Sequence, residues 1–157
     1  VTKAACKFAG ENMSIEITEM TAADCDEVVS FWQRQDDIGL NESDTPNAIA
    51  AFLNRNPGMS FIVRDGRRII AAVLCSHDGR RGYLHHLAVN PAHRRQGIGR
   101  SLVQRCLDRL LRERILKCNI FLFAGNSEGK AFWQAVGFRD RTDLKVMQRI
   151  TGDTSQD

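Results

Sequence analysis

Tyr83 is the only tyrosine in the chain, and only three prolines occur in 157 residues. No apolar run approaches the roughly 20 residues that a membrane-spanning helix needs, which argues against a membrane protein. The opening VTKAACKFAGEN lacks the apolar stretch of a secretory signal. There is no internal repeat, low-complexity stretch or linker. The five cysteines are odd in number, scattered and never spaced C-x-x-C, which argues against a structural zinc site and fits a reducing, cytoplasmic setting. Strong charge of one sign is also missing. A net +3 does not by itself imply nucleic-acid binding, and one tyrosine leaves little for base stacking.

What is present is charge sorted by region. Residues 94–114 carry seven arginines against Asp108 and Glu113, whereas residues 36–44 carry Asp36, Asp37, Glu42 and Asp44 with no basic residue. A basic segment and an acidic one can serve two differently charged ligands. The hydrophobic pattern is that of a mixed α/β fold. SIEITEM (14–20) alternates as a strand, and Thr21 with Asp24 reads as a capping box opening a helix over about 22–35. Thr45-Pro46 is a cap and first helical position for a short helix that must stop before Pro57-Gly58. Asp65-Gly66 marks a hairpin, and a turn at 78–82 leads to YLHHLAV (83–89), so three strands form an antiparallel meander. Ile98, Leu102, Cys106, Leu110 and Leu111 give one face of a helix of about 15 residues. CNIFLFA (118–124) reads as a strand buried on both faces. SEGKAFWQAV (127–136) reads as a helix with Gly137 just past its end, and LKVMQRI (144–150) as a last strand. The expected order is β-α-α-β-β-β-α-β-α-β, a central, mostly antiparallel twisted sheet flanked by helices.

The informative stretch is AVNPAHRRQGIGRSL (88–102). Gly97 and Gly99 fall at a helix start, where about four N–H groups lack intrahelical partners and the macrodipole favours an anion. Glycine lets a ligand approach the backbone, and Arg94, Arg95 and Arg100 add charge-assisted donors. The stretch is neither a Walker A loop nor a full G-x-G-x-x-G fingerprint. On these residues alone it reads equally as a glycine-rich helix start beside a solvated arginine face.

Arg94-Arg95-Gln96-Gly97-Ile98-Gly99 resembles the [RQ]-x-x-G-x-[GA] signature of the GNAT superfamily of N-acetyltransferases. LHHLAVNPAHRRQGIG is similar to that family's fourth strand, loop and third helix. GNSEGKAFWQAVGF resembles its later N-x-x-[AG] and F-[YW]-x-x-x-G-F element. The resemblance implies a single GNAT-like domain over 13–150; Met13 begins the first patterned segment and reads as a natural start, with 1–12 an extension outside the fold and TGDTSQD (151–157) a flexible tail. It implies acetyl-CoA as co-substrate, with backbone amides from about Arg95 to Arg100 on the diphosphate. The cofactor set is then Leu87, Ala88, Val89, Arg94, Arg95, Gln96, Gly97, Ile98, Gly99, Arg100 and Asn126. In the family the main chain of Leu87 and Val89 would pair with the pantetheine arm, beside a bulge that splays the fourth strand from the fifth. Asn126 matches a cofactor contact, and reads equally as a helix cap.

Acetyl transfer to an amine needs a deprotonated nucleophile and a donor for the oxyanion. The resemblance gives the second role to the Val89 N–H or its neighbour. The glutamate many members use as base is absent, since Tyr83 and Phe121 stand at the matching positions. Strict alternation would put Tyr83, His85, Leu87 and Val89 on one face and Leu84, His86 and Ala88 on the other. His85 matches a histidine used by a member with the same H-x-L-A-V arrangement, and is the candidate general base. His86, a water relay, or a histidine merely hydrogen-bonded on the sheet are the alternatives. Trp133 stands where many members place a tyrosine that protonates the leaving thiolate. An indole is no practical acid, so packing is the expected role. Asp36 and Asp37 lie in the segment that lines the family's acceptor site. They suggest a small-molecule or peptide amine carrying positive charge, or a plain solvated loop. An acyl-CoA-binding module with weak or no catalysis is the competing function. Nucleic acid and membrane are not expected partners, and the late strands offer an edge for a homodimer.

Overall fold

A computed structural model describes residues 15–152. Residues 1–14 and 153–157, which include the expected extension and most of the expected tail, lie outside the described residues. The backbone falls into two compact units, one ending at Ile120 and the other beginning at Phe121.

The first unit runs β1 (Ile15–Glu19), α1 (Cys25–Gln33), α2 (Pro46–Arg55), β2 (Phe61–Asp65), β3 (Arg68–His77), β4 (Gly82–Val89), α3 (Ile98–Arg112) and β5 (Cys118–Ile120). The strands form one sheet in the order β1-β2-β3-β4-β5, antiparallel except for the parallel β4–β5 pair. Local signals account for most boundaries. A 3-10 turn, Ala22–Asp24, precedes α1, and the Thr21 N–H donates to Asp24 Oδ2 at 2.8 Å. Thr45 Oγ1 accepts from the Ala48 N–H at 3.2 Å with Pro46 in the first turn, as the sequence predicts. Asp65 pairs with Arg68, and Gly66 has φ 58, as a two-residue hairpin turn requires.

Two cores line the sheet. On one face Val28, Val29, Phe31 and Trp32 of α1 and Ile49 and Leu53 of α2 pack with Ile62, Ile69, Ala72, Leu74 and Ala88. On the other, Ile98, Leu102, Val103, Cys106 and Leu110 of α3 are buried, and the helix meets β2, β3 and β4. Burying each Val, Leu, Ile or Phe side chain among these is worth about 1.5–3 kcal/mol. Gly82 sets how closely α3 rides on β4, because a Cβ there would stand 2.5 Å from Leu110 Cδ1. Arg64 ties β2 to α1, reaching Asp24 at 2.9 Å and Glu27 at 2.8 Å. The second oxygen of Glu27 accepts from the Ile69 N–H at 3.0 Å.

In the second unit α4 (Ser127–Ala135) is capped by Asn126, and Gly137 follows with φ 99. The Trp133 ring sits edge-on to Phe132 and Phe138, with centroids at 5.3 and 5.0 Å.

Two expected strands are corrected. Residues 144–150 form no strand, and Leu144, Val146, Met147 and Ile150 are exposed. β-prone composition does not make a strand without a ladder partner, and the second unit holds none among the described residues. The run 118–124 is a strand only to Ile120, and Phe121 and Phe123 are 60% and 69% exposed rather than buried. Its ladder with β4 ends at Leu84–Ile120, just before β4 changes register. No helix of the described residues is long and apolar enough to cross a membrane.

Candidate active site

The register of β4 against β3 builds the site. Leu74 pairs with His85, and Ala72 pairs with Ala88. Cross-strand partners share a face, and Leu74, Ala72 and Ala88 all belong to the core under α1 and α2. His85 and Ala88 therefore share that face although they stand three positions apart, an odd step that requires one extra residue in β4. That is a β-bulge, and His86 sits in it with φ 52. The bulge corrects the strict-alternation reading. The His85 and His86 rings both lie on the α1–α2 side, and Leu87 and Val89 are turned to the opposite face from His85.

His85 stacks on Tyr83 (centroids 6.2 Å, interplanar 9°) and meets the edge of Phe52 of α2 at 6.4 Å. Its imidazole lies below the ordinary value. Burial is the main cause and the neighbouring His86 adds to it, while Asp44 opposes both. A neutral, half-buried imidazole is a proton acceptor at neutral pH.

His86 is the residue that sequence reasoning undervalued. Its Nε2 lies 2.7 Å from Asp44 Oδ1, and its ring meets Trp32 edge-on at 5.2 Å. Asp44 is thus not part of a solvated acidic loop. It is 8% exposed, and its other oxygen accepts from the Asn41 N–H at 2.9 Å. The signal available in the sequence was the pair of adjacent histidines next to the bulge implied by the family resemblance.

The backbone beyond the bulge faces two ways. The Asn90 N–H donates to Ile70 O on β3 at 2.7 Å. By alternation Ala88 also faces β3, while the main chain of Leu87 and Val89 faces the other edge. β5 pairs with β4 only over Gly82–Leu84, so among the described residues no strand ladder occupies that edge from His85 onward. A second extended chain fits there in the manner of an added strand.

The loop after β4 turns through Pro91–His93, with Asn90 Oδ1 accepting from the Ala92 N–H at 2.9 Å. Arg95 (φ 63) and Gly97 (φ 81) are both left-handed, and Gly97 caps α3. The Ser101 N–H makes its helical bond to Gly97 O at 3.0 Å, so the N–H groups of Ile98 and Gly99 precede that first helical donor. The side chains of Arg95, Gln96 and Arg100 are exposed beside this helix start. Amide donors, a side-chain-free position and guanidinium groups fit a diphosphate. Arg94 is engaged differently from the sequence expectation. Its Nε donates to Val89 O at 3.0 Å, and a terminal nitrogen lies 3.8 Å from Asp37. Asp36 and Asp37 are exposed. In the second unit, Asn126 Oδ1 accepts from the Gly129 N–H at 2.7 Å, the cap reading of that residue. An open pocket of about 270 Å³ there is lined by Asn126, Lys130, Asp140 and Arg141 among others.

Comparison with known proteins agrees with this geometry. The N-alpha-acetyltransferase 30 of Schizosaccharomyces pombe is 30% identical over 92 residues, which cover 55% of this chain; the chain spans about three fifths (61%) of that relative's length. The PaiA N-acetyltransferase from Thermoplasma acidophilum, solved in complex with coenzyme A, superposes with a TM-score of 0.70. It is 17% identical, and the match covers 81% of this chain and 91% of that one. A chain of the NatC complex bound to Gag peptide and CoA has a TM-score of 0.69 at 20% identity, covering 82% of this chain and 86% of its own. At such identities these structures bear on the fold, and they share it. The model of the acetyltransferase (GNAT) family matches residues 25–138, from the start of α1 past the end of α4, and the chain belongs to that family.

Proposed function

We propose that the protein transfers an acetyl group from acetyl-CoA to a primary amine, by direct attack with both substrates bound. The observation that carries this reading is the bulged end of β4, which leaves the Leu87 and Val89 main chain on an open edge just before an amide-lined helix start. Acetyl-CoA supplies an activated thioester. Ala88 fixes the strand to β3 while Leu87 and Val89 pair with the extended arm. The amides from Arg95 through Gln96, Gly97, Ile98 and Gly99 to Arg100 hold the diphosphate. Arg94 holds the Val89 carbonyl. The Val89 N–H donates to the oxygen that gains charge, and His85 accepts the proton that the amine must lose. Asn126 serves α4 as its cap. Trp133 packs and transfers no proton.

The acceptor is an amino group carried by a peptide or a small cation. The name of the yeast relative and the peptide in the NatC structure support a peptide amino terminus. The exposed Asp36 and Asp37 support a positively charged acceptor. The four described cysteines are free thiols, which supports a reducing, cytoplasmic setting. A second reading, a module that binds acyl-CoA without turnover, is favoured by Tyr83 and Phe121 in the places of the usual glutamate.

Calorimetry with acetyl-CoA tests binding. CoA release with a tetrapeptide bearing a free amino terminus, spermidine and lysine tests transfer. Saturable binding with amine-dependent release supports the enzyme, binding without release supports the module, and no binding overturns both.

A further inference from the structure

His86 is an unusual choice for its position. A left-handed backbone inside a strand suits glycine, and other residues adopt it at a cost. The chain places there a ring whose Nε2 lies 2.7 Å from a carboxylate that is 42 residues away in sequence. That carboxylate, Asp44, ends the 3-10 turn Glu42–Asp44 in the connection between α1 and α2. Both of its oxygens are engaged, one by His86 and one by the Asn41 N–H. Trp32 of α1, fully buried, closes the other side of the ring. One bond thus fastens an otherwise irregular connection to the point where β4 changes register.

We propose that His86 and Asp44 are a positioning pair: their bond seats the α1–α2 connection on the β4 bulge and sets the surroundings of the neighbouring His85. The kinetic part of this proposal rests on the acetyl-transfer reading above, while the structural and titration parts do not. Among the described residues, several elements bring groups to face His85. Tyr83 and His86 come from β4 itself, Asp44 from the 3-10 turn, and the apolar Phe52 and Leu74 from α2 and β3. Two of its titratable neighbours are therefore the members of the pair. The bond also keeps the α1–α2 connection closed over that face of the strand, which maintains His85's burial. Losing the His86 ring acts on His85 twice in one direction: a neighbour that disfavours its protonation is gone, and water gains access. Both raise its midpoint.

His86→Gly separates this role from a purely structural one. Glycine relieves the left-handed backbone, so a residue present only to shape the bulge is replaced without loss. The readout is the His85 imidazole titration followed by NMR, with Asp44→Asn as the second variant. We expect His86→Gly to fold and to shift the His85 midpoint upward. Both variants should lower kcat/KM for whichever amine of the panel turns over, by about 10- to 100-fold, the scale of an ångström-level misplacement. The acetyl-CoA dissociation constant should stay within twofold. The double variant should be no worse than the poorer single one, as coupled residues behave. A His86→Gly protein with an unchanged His85 midpoint and unchanged turnover overturns the proposal. So does an Asp44→Asn protein with wild-type kinetics, should the glycine variant not fold. Absence of acetyl-CoA binding by the wild type would defeat the acetyl-transfer reading alone, because the NMR titration still reports on the pair.

Discussion

Replacing Val89 by its α-hydroxy acid exchanges one backbone N–H for an oxygen and leaves the side chain and strand shape intact. The main chain of Val89 faces the open edge of β4, so the lost donor belongs to no bond between β4 and β3. The ester also weakens the carbonyl of Ala88, which does face β3. One weakened backbone bond costs about 1 kcal/mol, or about 2–4 °C in Tm for a domain of this size. The catalytic effect is expected to be much larger. Loss of a single donor to a developing oxyanion costs about 2.7–4 kcal/mol, roughly 10²–10³ in kcat. The assay is thiol release from acetyl-CoA under saturating amine, with calorimetry of free CoA as the control. Free CoA has no acetyl carbonyl to lose a donor, so its affinity should hold. A kcat within about threefold of wild type, in a protein with the small expected Tm change, would refute the assignment of the Val89 N–H.

Three further outcomes follow from the structure. Arg64→Met should cost about 1–2 kcal/mol in urea unfolding at pH 7, toward the low end for charged bonds because Glu27 is 42% exposed. Burial pushes Asp24 up, but the Thr21 N–H and hydroxyl and Arg64 outweigh it and hold Asp24 below the usual carboxylate range. Its contribution is therefore present above its unfolded value and lost as pH falls through the folded one, so the Arg64→Met deficit should shrink in acid. A deficit that stays constant from pH 7 into acid would contradict that account. Gly82→Ala should destabilise by about 1–3 kcal/mol through the clash with buried Leu110, and an unchanged urea midpoint would show the contact to be looser than it stands. His85→Gln should lower kcat and remove the acidic limb of its pH profile, a limb that lies below the ordinary imidazole range because the folded His85 is harder to protonate. An acidic limb that survives in the variant assigns the base elsewhere.

The parts of the fold that were legible in the sequence are those written over a few adjacent residues. Thr45-Pro46 opens α2, Asp65-Gly66 turns the hairpin, and Ile98 to Leu110 pace out α3, each where the residues place it. The signature loop and its family were legible for the same reason. Features that depend on register were not. One extra residue in β4 turns His86 onto the same side as His85, and no local pattern announces a bulge. The bond from His86 to Asp44 and the turn of Arg94 back to Val89 O are set by tertiary geometry that composition does not encode. Residues 144–150 show the converse case, a β-prone run with no ladder to join.

The tight seat of Leu110 against Gly82 makes α3 a lever. Leu110 is twelve residues from Ile98, about 18 Å along the axis. A tilt of about 6° at that pivot would carry the amides at the far end through almost 2 Å, more than a hydrogen bond tolerates. A glycine at one end of the helix thereby bears on how the opposite end is aimed, and under the acetyl-CoA reading substitutions around it would tune affinity without touching the helix start.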